Sequence, residues 1–583
     1  MYLFYSTMKT PNGLFSLFIL LYTLILALLS PFLRKKGKNA ALWVLSVLPV
    51  VCALVHLWLY GTRTFDDFMY LYIAALLPLI LLLPGRSRIS SVLKSAAVSL
   101  SSLAVCFIFL VNATAAPMIH NYSRYSYSDG FRKMLSTMEK EYCLSSWKHT
   151  DYDALLEEYL PQIEEAERDN DKVRFAAIIT EVTCRFYDSH VSAYLPKEIN
   201  MPTYEYMAGN DYGLSLARID DGSVIAVMVE DEINKRDICL ADDLCELDKI
   251  GIHNGTQILS WDGRDINEAI ADVDCFFPAL QYPVRSNEDA FRPFFLAGKG
   301  GESVEVTFID DDGKEQSAEL KRIGGYSNRL IWTCRLFSEN IKADTNNYAC
   351  MLDDRCGYLR VSREHYDTLS DNIAAVKNGY YPELTEMYAG LIGDLRSQGM
   401  EYLVIDIRDN GGGYDCCGGA LASLFTDEKR HMVSFGYEDA EGYHIKENQY
   451  IFPDGRYMDI PVAALVNSEC VSAGDGLAKF LSDCPNVTLM GITASSGVNQ
   501  NNGGQIYLAE GICVNYPVYL SLSEDGEPLI DTDYTRENRI PLDVTIPLTK
   551  EAAMKMFSVD NIISIGSIDP DLEYAVSYLE NNN

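Results

Sequence analysis

Residues 402–413 read YLVIDIRDNGGG, and no other segment restricts the fold as much. The first six positions are almost continuously apolar. A strand of that kind is buried on both faces, as in a parallel sheet with helices above and below. The neighbouring pattern agrees: strand CGYLRV (356–361), a helix expected across Ser370–Gln398, strand VAALVN (462–467), helix GDGLAKFLSD (474–483) and strand VTLMGI (487–492). Strands alternating with helices predict an α/β sheet joined by crossover helices.

The same strand runs straight into three glycines. Gly412 and Gly413 let the backbone approach a ligand and present N–H groups that could hold an oxyanion, or they form an ordinary turn. A second segment, NSECVSAGDGLAKF, places Ser472 where a helix starts. A hydroxyl there can serve as a nucleophile favoured by the helix N-terminus, or simply as a helix cap. The residues alone leave both pairs of readings open.

The N-terminal end has a different character. Four apolar stretches, Leu14–Leu33, Ala41–Tyr60, Phe68–Pro84 and Val92–Val111, each approach the roughly 20 residues that cross a bilayer as a helix. They predict a four-helix transmembrane anchor over residues 1–117. Arg34, Lys35, Lys36 and Lys38 in the first loop, and Arg86, Arg88 and Lys94 in the third, put those loops inside by the positive-inside rule. The expected topology is a multi-pass protein in the cell membrane with its large acidic domain extracytoplasmic and the lipid bilayer as a partner. The first 117 residues hold nine of the 48 Lys and Arg and two of the 82 Asp and Glu. The remainder therefore carries 39 basic and 80 acidic side chains, a net charge near −41. Such a surface repels nucleic acid. Fifteen cysteines leave the redox setting open.

Between these ends, residues 118–205 read as helices closing on the turn Asp188-Ser189-His190. Residues 206–326 turn to short alternating strands such as SVIAVMV and SVEVTFI. The stretch GIHNGTQILSWDGRDINEAI (251–270) resembles the late half of a PDZ domain, with Thr256 in place of the usual Asp and with 271–298 as an insertion. PDZ domains bind chain ends by adding a strand to a sheet edge. The last domain is 327–583.

DIRDNGG, SAGD at 472–475 and ENRIPLDVTIPLT at 537–549, in that order and with the PDZ-like stretch before them, resemble a known peptidase family. It comprises C-terminal processing proteases, tricorn core proteases and interphotoreceptor retinoid-binding proteins. The resemblance implies an α+β soluble part with an α/β, crotonase-like ββα catalytic core and Ser472 as nucleophile. It also implies an oxyanion hole from the N–H of Ala473 with that of Gly412 or Gly413. Processing proteases of the family use a lysine base after the nucleophile helix, but GITASSGVNQNNGG (491–504) contains none, and Lys479 lies on the nucleophile's own helix. The tricorn-like branch uses histidine after a serine, which here is Ser189-His190. A histidine titrates near neutrality and suits a general base. By the same likeness Glu537 orients Ser189 or His190. Asp475 stands where many members have Glu, and Ile540 and Leu542 depart from the late element. No His/Cys cluster has zinc spacing and no phosphate-binding glycine loop occurs, so neither metal nor cofactor is expected. The expected function is hydrolysis of polypeptide substrates, including recognition of their C-termini. The alternative is a catalytically inactive peptide- or lipid-binding protein of the same fold. Oligomeric state is not legible.

Overall fold

The computed structural model describes residues 11–35, 39–60, 72, 75–83, 92–103 and 118–582, apart from 235–237, 239, 241–245, 279, 339–346, 366–379 and 565. Contacts divide the chain into two compact units.

The first unit comprises residues 1–124 with 503–507. Helices α1 (Pro11–Lys35) and α2 (Asn39–Tyr60) pack through Leu26, Ala27 and Leu42, with Leu81 and Val98. Among the described residues no helix is long and apolar enough to cross a membrane. Within the third apolar stretch Leu77–Leu82 form a six-residue 3-10 turn, and the fourth is described as helix over 92–103. The four-helix transmembrane anchor is therefore corrected, and with it the multi-pass membrane placement. Loop residues Lys36, Lys38, Arg63, Asp66, Asp67, Arg86 and Arg88 lie outside the described residues.

The second unit comprises residues 125–502 with 508–583. Helix α3 (Lys172–Cys184) is capped by Asp171, whose side chain accepts the amides of Val173 and Arg174. It leads into the Asp188-Ser189-His190 turn. The β-rich module follows. Strands β1 (Ser215–Arg218) and β2 (Val224–Val227) form a hairpin, and β3 (Ile258–Trp261), β4 (Ser303–Ile309) and β5 (Glu315–Lys321) form an antiparallel meander. The segment expected to be an insertion holds a helix, Arg285–Leu296, whose Phe291, Phe294 and Phe295 are buried in the module's core.

The core of the last domain is the expected α/β sheet. Its order is β6 (Tyr348–Met351), β7 (Cys356–Arg360), β8 (Tyr402–Asp406), β9 (Val462–Leu465), β10 (Val487–Gly491) and β11 (Val544–Thr545). Only β6 runs antiparallel to its neighbour. All five residues of β8 are buried because both faces are covered. Leu403 and Ile405 enter one apolar cluster, while Tyr402 and Val404 enter another beneath the C-terminal helix Pro570–Asn582, through Ala575 and Leu579. The expected helix after β7 is described over Pro382–Ser397, and the earlier part of its expected range lies outside the described residues. The late element supplies the edge strand: Met490 pairs with Val544.

Candidate active site

Strands β8 and β9 end side by side, Asp406 opposite Leu465, so the glycine loop and the loop that carries Ser472 leave the same sheet edge. Asp406 is an anchor. Arg360 and Arg408 bond its buried carboxylate at 3.0 and 2.7 Å, and Tyr358 donates to it at 2.9 Å. Burial alone would favour the neutral acid, but the two guanidiniums prevail and hold it far below the usual carboxylate range. Arg408 also donates to both carboxylate oxygens of Asp569, tying the motif to the last helix. Asn410 then joins the two loops. Its carbonyl accepts the Val471 amide at 3.0 Å, and its side-chain oxygen accepts the Gly412 amide at 2.9 Å.

Gly412 lies directly against Ser472. A Cβ built on it would stand 2.7 Å from the Ser472 Cβ and 2.9 Å from the Ala473 nitrogen, at φ +83°. Its own amide is occupied by Asn410. Among the described residues the amides of Gly413 and Ala473 donate to no acceptor.

Ser472 occupies the N-cap position of helix Ala473–Ser482 with φ 63° and ψ −128°, and its side chain makes no capping hydrogen bond. Capping therefore does not account for this serine. A non-glycine residue at positive φ is costly, and such strain gathers at functional sites. The Ser472 amide donates to the Val498 carbonyl at 2.9 Å. Asp475, one turn on and fully buried, accepts the Gly497 and Val498 amides at 2.9 and 3.1 Å and so fixes that loop. Burial pushes its carboxyl up to about 7 against the pull of these bonds.

The same loop reaches the histidine turn. Ser189 Oγ lies 2.8 Å from Ser496 Oγ, and the Ser496 amide donates to the Cys470 carbonyl at 2.8 Å. One short segment, 495–498, thus touches Ser189 on one side and the nucleophile loop on the other. His190 is buried. Its amide donates to Asp188 Oδ1 at 2.9 Å, and its Nδ1 stands 3.6 Å from the same oxygen, an ion-pair separation longer than a hydrogen bond. Burial opposes a charged imidazole, yet Asp188, backed by Asp531 and Asp475, lifts its proton affinity above the ordinary value. Asp188 itself is fully buried and accepts the Tyr142 hydroxyl at 2.8 Å. Burial would raise it, but His190 and Lys148 hold it below the usual range.

Glu537 makes no hydrogen bond to Ser189 or His190 among the described residues. It is exposed, and no other hydrogen bond or ion pair engages it there. Its neighbour Arg536 reaches the turn instead, 3.7 Å over the Tyr187 ring, while donating to the Tyr282 and Pro283 carbonyls. Lys479 turns to Asp483 on its own helix. Sequence reasoning missed Asp188 as a partner of His190, although it stands two residues before it. It also missed Lys148 and Asp531, for which no local pattern gives a signal.

Residues 355–539 match the family model of peptidase family S41. No curated protein matches the chain. Among solved structures, mature CPAF complexed with lactacystin has 14% identity and a TM-score of 0.45, covering 79% of this chain and 99% of that one. A putative peptidase from Parabacteroides merdae has 15% identity and a TM-score of 0.38 over 78% and 97%. The photosystem II D1 C-terminal processing protease has 17% identity and a TM-score of 0.29 over 71% and 92%.

Proposed function

We propose that this chain, a serine peptidase of family S41, cleaves polypeptides through an acyl-enzyme on Ser472 with His190 as the general base. The observation that carries this is the state of Ser472: strained, uncapped, and packed against Gly412. His190 takes the hydroxyl proton as Ser472 Oγ attacks the scissile carbonyl. The free amides of Gly413 and Ala473 receive the developing oxyanion. The tetrahedral intermediate then collapses, the C–N bond breaks, and the imidazolium returns its proton to the leaving amine. Water, activated by the same imidazole, releases the acyl group. Asp188 faces Nδ1, the position from which a carboxylate holds the imidazole tautomer and stabilises its charged form. Ser189 braces the turn through Ser496.

The PDZ-like reading of residues 206–326 is supported by the antiparallel meander β3-β4-β5 packed with the helix Arg285–Leu296. Its edge strand, Glu315–Lys321, is largely exposed. Strand addition there would hold an extended substrate, C-termini included.

The test is labelling of the full chain by a fluorophosphonate probe, with Ser472→Ala and His190→Ala in parallel. Labelling lost in both supports the reading. Labelling that survives His190→Ala removes the histidine base, and a folded parent that is never labelled removes the mechanism.

A further inference from the structure

The turn that carries His190 is held from behind by a buried lysine. Lys148 follows the first helix of the second unit and is 7% exposed. Its Nζ donates to the Tyr187 carbonyl at 2.9 Å and to Thr532 Oγ1 at 2.7 Å. It thereby joins two strained segments, since Tyr187 has φ 48° and Ile530 φ 69°. Beside Thr532 stands Asp531, fully buried. One of its carboxylate oxygens takes the Asn499 amide and the Gln500 side chain at 3.2 and 2.6 Å, and the other has no hydrogen-bond partner. Asn499 and Gln500 continue the loop whose Val498 carbonyl holds the nucleophile's amide.

We propose that Lys148 and Asp531 are positioning residues for His190: they fix its turn against the nucleophile loop and, as opposed buried charges, set its proton affinity. This rests on the Ser472–His190 reading above. An ammonium is buried only where charges and hydrogen bonds offset its lost hydration. Here they do so in part: burial draws the Lys148 proton affinity below its ordinary value, and Asp188 and Asp531 oppose that fall without cancelling it. Three carboxyl groups face His190: Asp188 of its own turn, Asp531, and Asp475 of the nucleophile helix. Behind them, Lys148, Tyr142 and Cys143 face Asp188 and Asp531, and Asp533 and Arg536 face Lys148. From about pH 7 upward, where Asp475 and Asp531 ionise, carboxylates outnumber cations in this set. Without Lys148 they would hold the imidazole proton too tightly for a base that must be neutral to act.

The sign of each change follows. Lys148→Met keeps the aliphatic stem and removes the positive charge. His190 then binds its proton more tightly, and the acid limb of the rate profile moves up by about one pH unit, so the rate on that limb falls roughly tenfold. Burial, with Asp188 beside it, pushes the Asp531 carboxyl up to about 7, so its charge is present from neutral pH upward. Asp531→Asn keeps a hydrogen-bond acceptor for Asn499 and Gln500 while removing that charge, and moves the limb down. The measurement is the second-order rate of fluorophosphonate inactivation of the full chain across the acid and neutral range. Opposite displacements of the limb are the expected result. A loss of rate by the same factor at every pH, with the limb in place, would make Lys148 a packing residue and overturn the inference. If Lys148→Met does not fold, the Asp531→Asn profile decides alone, and an unmoved limb overturns it. A parent labelled independently of His190 removes the mechanism first, and the inference falls with it. A parent that needs His190 while both limbs stay fixed removes only the inference.

Discussion

Gly412→Ala tests the site at its narrowest point. Two separate costs can be worked out. The position has φ +83°, and an alanine held there costs about 1–2 kcal/mol in backbone strain. The new methyl would also sit 2.7 Å from the Ser472 Cβ, 2.8 Å from the Val471 carbonyl oxygen and 2.9 Å from the Ala473 nitrogen. Ordinary carbon contacts begin at about 3.5 Å, so the nucleophile loop must retreat by the better part of an ångström. Two of the three atoms are backbone and cannot rotate away. Overpacking of this kind costs a further ~1–3 kcal/mol. The variant should lose about 2–5 kcal/mol of stability in urea unfolding, the sum of the two costs. Activity should fall further than stability suggests, because a displacement of about 1 Å at reacting atoms costs about 10²-fold. Gly313→Ala is the control. It has φ +74° but nothing within 4 Å of the added methyl. It should show the strain cost alone, with an unaltered rate of fluorophosphonate inactivation. A folded Gly412→Ala protein that reacts at the parent rate would refute the placement of Gly412 against the nucleophile.

Two other predictions concern buried carboxyls. Burial pushes Glu364 up to about 8; its backbone carbonyl accepts the Tyr414 amide beside Gly413, and one of its carboxyl oxygens has no partner. The folded state keeps this proton while the unfolded chain has released it, so stability is full below about pH 4.5 and declines as pH rises towards about 8, by ~1.4 kcal/mol per pH unit. Glu364→Gln should remove one such slope from urea-unfolding free energies measured across that range, and an unchanged slope would show that Glu364 is ionised in the fold. Asp188→Asn should reduce the inactivation rate by about 10³–10⁴-fold, the scale of a lost triad carboxylate. Glu537→Gln, at an exposed position without partners among the described residues, should cost far less, and the reverse order would restore Glu537 to the outer role.

The legible parts of this chain are those whose cause is local. Strand β8 can be read because a strand covered on both faces must be apolar at every position, and Leu403 and Ile405 on one side and Tyr402 and Val404 on the other meet that demand. The helix after Ser472 is legible for a similar reason. The N-terminal stretches mislead because apolar length alone does not set how much of a segment becomes one helix: Leu77–Leu82 forms a 3-10 turn where a span was expected. The helix Arg285–Leu296 reads as an insertion because its first turn, RSNED, is polar and Pro293 interrupts its pattern, although its three phenylalanines complete the module's core.

The surroundings of His190 are illegible for a different reason. Lys148, Asp188 and Asp531 come from separate parts of the chain, and no spacing rule connects them. Each alone reads as a surface charge, which is the ordinary place for Lys and Asp. What identifies them is that each is buried and that each is offset by the others, which only the assembled fold can arrange. The strain at Ser472 has the same origin. A serine at a helix start is by default a cap, and sequence cannot distinguish it from a nucleophile. The two differ in where the hydroxyl is spent. A cap commits its oxygen to the helix amides, whereas here Asp475 and Val498 hold the loop and leave the Ser472 oxygen uncommitted to its helix. The buried acids behind the site therefore do two jobs with one arrangement. They hold the backbone that keeps Ser472 out of its capping geometry, and they raise the proton affinity of a buried histidine against the cost of its burial.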